Sequence, residues 1–372
     1  MNDALRLLDN HVHLFPPMRT AAGYQSAEEH LAVLQYAFAF SSHPARRVDD
    51  GTYAPPATLW DWSRGWPNGR IGAGFRIGAF GRVEWELDGV RYYRQYQSPL
   101  LHDMAAPANL VVAMMDAAGI DVAVLQNDRN YGRLNDEIAD AVRRFPGRFI
   151  GLAQVDEGHG WRADQLDEIE RCTALGLRGL YFKLQGLSTS NYQGNPFGPR
   201  YEPLWDAIAR QGWPVYWDIT PVPTPGADNY LRQLRGWVEW VERHPHIRSV
   251  LPNGLNTQVF AADGRVQLPD WLVAPLVEHN VLVELSLPIR WGGQWDYPFL
   301  ELRQILDMHL ERFGPTRLVW GSDAPNVERF CTYRQTVTHL TEQWPDASNA
   351  DLRLIMGGNV EHLFGLHAEA GV

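Results

Sequence analysis

The run LRLLDNHVH, ending at His13, sets His11 and His13 one residue apart behind an apolar stretch. In a strand, side chains two apart share a face, so both imidazoles point the same way and can begin a metal site. Such a site needs more donors, and a carboxylate is the natural complement. Asp323 in VWGSDAP ends the last strand-like run of the chain, and the last strand of a closed barrel lies beside the first. There it can ligate an ion, take a proton from water, or do both in turn.

Eight short apolar or β-branched runs can carry these residues: LRLLDNHVH, IDVAVLQ, RFIGLAQV, RGLYFKL, WPVYWDIT, IRSVLPN, VLVELS and TRLVWGSD. After the first, they recur at the spacing of a strand, loop, helix and return. The segments between them, such as NDEIADAVRRFP and ADQLDEIERCTALG, repeat apolar residues at three- and four-residue steps, as amphipathic helices do. Eight such units predict an α/β fold, a (β/α)8 TIM barrel made of residues 1–14 and 105–372. Residues 15–104, rich in Gly, Pro and aromatics, are then a large insertion after the first strand, emerging where barrel active sites form and expected to be a lid or pocket wall. A doubly wound sheet is disfavoured because no strand is followed by a glycine-rich phosphate loop.

The net charge of -11, with no lysine- or arginine-rich run, argues against nucleic acid or an anionic membrane as partner and leaves a small molecule as the expected substrate. No segment is long and apolar enough for a membrane span, and the N-terminal residues lack the pattern of a secretory signal, so a cytoplasmic location is expected. Cys172 and Cys331 are far apart and predict neither a disulfide framework nor a thiolate site. Of the many aromatics in the insertion, Trp60 and Trp85 are candidates to touch a flat ligand.

With DNHVH on strand 1, LDGVRYYRQ and then MMDAAGIDVAVLQ leading into strand 2, ALGLRGLYFKL into strand 4 and LERFGPTRLVWGSDAP into strand 8, the chain resembles the amidohydrolase superfamily. The likeness is to the amidohydrolase-related branch, which includes aminocarboxymuconate semialdehyde decarboxylase, resorcylate decarboxylases and some lactonases. It implies a divalent metal, zinc ahead of manganese, surrounded by His11, His13 and Asp323. It also shows two departures. Where the family ends strands 5 and 6 with histidines, this chain has Asp218 and Asn253. Asp218 can still ligate zinc or manganese or act in catalysis, whereas Asn253 has no titrating proton and can only hydrogen-bond a carbonyl or oxyanion. Some of the family's lactonases work without metal, using the strand 8 aspartate as base and arginines to hold the substrate.

Lys183, near the end of strand 4, can bind a carboxylate or titrate near neutrality if buried. Arg129, His159 and Arg290 follow strands 2, 3 and 7 on the active face and are candidate substrate-binding residues. The expected activity is hydrolysis of a small lactone, amide or related carbonyl compound, aromatic or unsaturated, by metal-activated water with Asp323 as general base. Non-oxidative decarboxylation or hydro-lyase chemistry on a carboxylic acid is the alternative, and a barrel that only binds a small molecule is a third. A homodimer is expected by analogy of fold alone.

Overall fold

The structure is a computed structural model that describes residues 5–41, 43–54, 58–192, 194–262 and 265–366. Each of the eight apolar runs forms a strand: β1 (Leu8–Val12), β2 (Val122–Leu125), β3 (Phe149–Gly151), β4 (Leu180–Lys183), β5 (Val215–Asp218), β6 (Ser249–Leu251), β7 (Leu282–Leu285) and β8 (Leu318–Trp320). They pair in parallel as two arcs, β1-β2-β3 and β4-β5-β6-β7-β8. Parallel bridges join the arcs at both seams, Val12 with Ala324 and Ala153 with Leu180, and this closes the (β/α)8 barrel. Helices precede every strand from β2 on, among them the expected Asn135–Arg144 and Ala163–Ala174.

Alternation along the strands separates two cores. Leu8, Val124, Ile150, Tyr181, Tyr216, Val250, Leu282 and Val319 point into the barrel, where Val360, Leu363 and Phe364 of the C-terminal helix meet them. Their neighbours one residue along, including Leu125, Phe182, Trp217 and Trp320, face the surrounding helices. Continuing the inward set toward the C-terminal ends of the strands gives Lys183, Asp218 and Glu284, so the polar residues gather at one mouth of the barrel. No helix among the described residues is long and apolar enough to cross a membrane, and Cys172 and Cys331 are buried free thiols.

The chain leaves the barrel after β1 through an antiparallel bridge between Phe15 and Ala106. Between them lie the helix Ala27–Ala39, capped by the Ser26 side chain, and a five-stranded antiparallel sheet. The heart of this sheet is a hairpin of Arg82–Leu87 with Val90–Gln95. Asp88 and Gly89, both at positive φ, make its two-residue turn, the backbone form that matches strand twist. Thus LDGVRYYRQ belongs to the insertion, and the helix Ala108–Ala118 leads into β2.

Candidate metal centre and its cleft

Strict alternation from Leu8 would send Asn10 into the barrel and His11 outward. The pairing of β1 with β2 instead shifts register between Asp9 and Val12, and this bulge turns His11 inward as well. Every polar side chain of the run is then fixed. Asp9 accepts from the backbone N–H groups of His11 and Ser322 and from the hydroxyl of Tyr333, which pins β1 to the end of β8. Asn10 donates to Glu284 and accepts from Tyr216.

The two imidazoles meet Nε2 to Nε2 at 3.0 Å. Asp323 Oδ1 lies 3.2 Å from His13 Nε2 and 3.8 Å from His11 Nε2. All three ligand atoms fall within 4.8 Å of one another, and all three residues are buried. The far ring nitrogens decide what this arrangement is. His13 Nδ1 faces the Gln126 carbonyl at 2.8 Å and His11 Nδ1 faces the Glu284 carboxylate at 2.7 Å. Both partners are acceptors, so each neutral ring carries its proton on Nδ1 and turns its Nε2 lone pair toward the other ring and toward Asp323. Two lone pairs and a carboxylate oxygen without a hydrogen bond of its own fit a divalent cation. Burial opposes a positive charge on His11, but the Glu284 and Asp323 carboxylates push its pKa up to about 9. Burial likewise opposes ionisation of Asp323, yet His11 and His13 hold its carboxyl below the usual range.

Asp323 sits at φ 59° and Asn253 at φ 60°, a left-handed conformation that Asp and Asn tolerate better than other side-chain-bearing residues. Gly321 is required for a different reason: a Cβ there would fall 2.4 Å from the Glu284 carboxyl carbon and 2.8 Å from His11 Cβ. The Gly-Ser-Asp that follows β8 therefore makes room for Glu284, staples Asp9 and aims a carboxylate at the histidines.

Asp218 does not join this group. It is the register partner of Lys183 across β4 and β5, accepts from Tyr181 at 2.9 Å and lies 3.2 Å from the Lys183 ammonium. Asp218, expected as a metal ligand, is paired with Lys183 instead and is not among the residues that converge with His11 and His13. Lys183 also contacts Asp128 at 2.6 Å; burial disfavours its charge, but the two aspartates outweigh it and hold the ammonium above its ordinary range, so Lys183 does not titrate near neutrality.

A cleft of about 1080 Å³ opens over the barrel mouth, lined by Asp218, Asn253, Arg290 and Asp323 from the barrel side and by residues of the insertion sheet. Arg290 donates to the Asn253 carbonyl at 2.7 Å, and the Asn253 N–H donates to Glu284 at 2.9 Å. The remaining candidates lie elsewhere. Arg129 is buried in an ion pair with Glu157 at 2.6 Å, and His159 is held by Asp156 at 2.9 Å beside Trp161; neither lines the cleft. Trp60 and Trp85 are fully buried: Trp60 stacks on Trp66, and Trp85 lies beneath the guanidinium of Arg94. None of these four expected substrate contacts is among the residues that line the cleft: ion pairing holds Arg129 and His159, and core packing holds Trp60 and Trp85.

The sequence reading missed Glu284, although an acid inside the apolar run VLVELS was a visible signal. It also missed Arg94 and Arg329, which line the cleft, and nothing in their local sequence distinguished them from surface arginines.

A profile of the amidohydrolase family matches residues 9–366. No functionally curated protein matches the chain in sequence. Among solved structures, the chain is similar to a probable 2-pyrone-4,6-dicarboxylic acid hydrolase from Acinetobacter baumannii with citric acid bound, at 15% identity and a TM-score of 0.57, covering 97% of this chain and 99% of that one. It is also similar to the 2,6-dihydroxybenzoate decarboxylase from Rhizobium, at 17% identity and a TM-score of 0.51, covering 73% and 90%. A third is a dihydroxybenzoic acid decarboxylase from Polaromonas sp. JS666 with bound manganese and 2-nitroresorcinol, at 17% identity and a TM-score of 0.50, covering 69% and 85%.

Proposed function

We propose that this chain, which belongs to the amidohydrolase family and is an enzyme of that superfamily, is a metal-dependent hydrolase of a small lactone, amide or related carbonyl compound. The observation that carries the reading is the convergence of the His11 and His13 lone pairs and the Asp323 carboxylate at one buried point beside the cleft. His11, His13 and Asp323 would hold the ion, and zinc is our first assignment because two imidazoles and a carboxylate with an open position suit it; manganese accepts the same donors. When bound, the ion supplies Lewis acidity, polarising a carbonyl oxygen and acidifying water.

The chain's own residues divide the remaining work. Asp323 supplies the carboxylate at this point, so it can accept the proton that water loses on attacking the carbonyl. Lys183 stays charged between Asp128 and Asp218 and serves no base role. Asn253, at the cleft wall, offers an amide donor to an oxyanion. Tyr53, Tyr93, Trp291 and Phe330 also line the cleft, which favours an aromatic or unsaturated compound.

Decarboxylation is the weaker reading for a specific reason. It needs an acid to protonate the ring carbon that loses carbon dioxide, and the strand 6 position holds an amide while the Lys183 proton is shared with two carboxylates. The test is a panel of lactones, amides and aromatic acids, assayed with zinc- or manganese-loaded protein and its Asp323→Asn variant. Acid release from a lactone or amide, lost in the variant, is the expected result. Carbon dioxide release without turnover of any lactone or amide would overturn the hydrolase.

A further inference from the structure

The protein carries a net charge of -11, yet the cleft is lined by five arginines and only two aspartates. Neither aspartate forms an ion pair with them: Asp218 is taken by Lys183, and Asp323 lies against the histidines, supporting the Arg329 charge only from beyond ion-pairing distance. The strongest imbalance lies where the insertion meets the segment after β8. Arg94, on the inner face of the insertion hairpin, is 7% exposed, and its Nη2 donates to the His43 carbonyl. Its Nε and Nη1 are buried without a hydrogen-bond partner. Arg329 donates through Nη1 to the Tyr96 carbonyl at 2.6 Å, and its Nε is likewise buried and unpartnered. Among the described residues, neither guanidinium has a carboxylate within ion-pairing distance. Two buried like charges facing one cavity are costly in the free protein, and the cost is relieved when an anion enters between them.

We infer that Arg94 and Arg329 form a subsite for a carboxylate group of the substrate, separate from the metal ligands and built by the insertion together with the segment after β8. The inference rests on the hydrolase reading for the cleft's identity as the substrate site, and it narrows the substrate class to a carboxylated carbonyl compound. Guanidinium forks match the planar, two-oxygen geometry of a carboxylate. Phe38 and Trp85 lie beneath Arg94, at 5.5 and 5.8 Å from ring centroid to guanidinium, and help to keep the fork in place. The surroundings agree with this: burial, then the neighbouring Arg329, pulls Arg94 down to about 10, and burial with Arg329, Arg94 and Arg290 pulls His43 down to about 4. His43 is thus neutral at the cleft wall, and an anion seated beside it would be held by the arginines alone.

The probe is isophthalate, with isophthalamide as its neutral counterpart, measured by titration calorimetry on the metal-loaded full chain and on R94Q, R94K and R329Q. Metal content and melting temperature are recorded for each. The subsite predicts that isophthalate binds native protein at least tenfold more tightly than isophthalamide. It also predicts that R94Q or R329Q removes most of this margin without loss of metal, and that R94K restores part of it. R329Q reads the same site from a second element should R94Q fail to fold. Equal isophthalate affinity in native protein and in a folded R94Q would overturn the proposal, and an Arg94-dependent preference for phenyl phosphate over benzoate would overturn the carboxylate class. Should the native chain hold no metal while isophthalate binding still depends on Arg94, the subsite stands and the metal-dependent reaction falls.

Discussion

The barrel mouth and the insertion hold polar residues in opposite states. At the mouth, Asp9, Asn10, His11, Glu284 and Ser322 satisfy one another through short hydrogen bonds, so the metal ligands are oriented before any substrate arrives. Across the cleft, Arg94 and Arg329 keep buried donor atoms without partners. The contrast teaches a division of labour: the closed sheet prepares the chemistry, and the insertion, together with the segment after β8, leaves recognition to be completed by the ligand.

Breaking the prepared side gives the largest effect. Asp323→Asn keeps a residue type that tolerates φ 59° while removing the base, so turnover should fall by about a hundredfold to ten-thousandfold with little change in melting temperature, as steady-state kinetics and a thermal melt would check. Arg129→Met tests whether the neighbouring ion pair is structural. It leaves Glu157 buried without its partner and should cost about 3–5 kcal/mol in denaturant unfolding, with metal content unchanged. Glu284→Gln leaves His11 Nδ1 without its carboxylate and should weaken metal binding by about 10- to 100-fold in a competition titration with a chelator, while isophthalate's dependence on Arg94 persists. Tyr216→Phe is the smallest: it strands the Asn10 side-chain Oδ1 inside the barrel and should cost about 1–2 kcal/mol of stability, read in the same denaturant experiment.

Much of the barrel was readable because each apolar run has the length of a strand and each intervening segment the period of a helix. His11, His13 and Asp323 were readable for a related reason, since chemistry at strand ends follows from the order of the strands. What was hidden depends on register and packing. The bulge that turns His11 inward is a pairing irregularity between β1 and β2, with no local signature in DNHVH. Lys183 and Asp218 lie far apart in sequence and neutralise each other only because β4 and β5 pair them side by side. The same limit applies to the aromatics: composition marks Trp60 and Trp85 as large and apolar, but only the packed insertion shows them buried in its core.

The most direct test of a metal centre at the barrel mouth is elemental analysis by inductively coupled plasma mass spectrometry on the native chain and on the His11→Ala, His13→Ala double variant. About one zinc or manganese per native chain, lost in a folded variant, is the predicted result. A native chain that holds no divalent metal after supplementation, or a variant that retains it in full, would contradict the account.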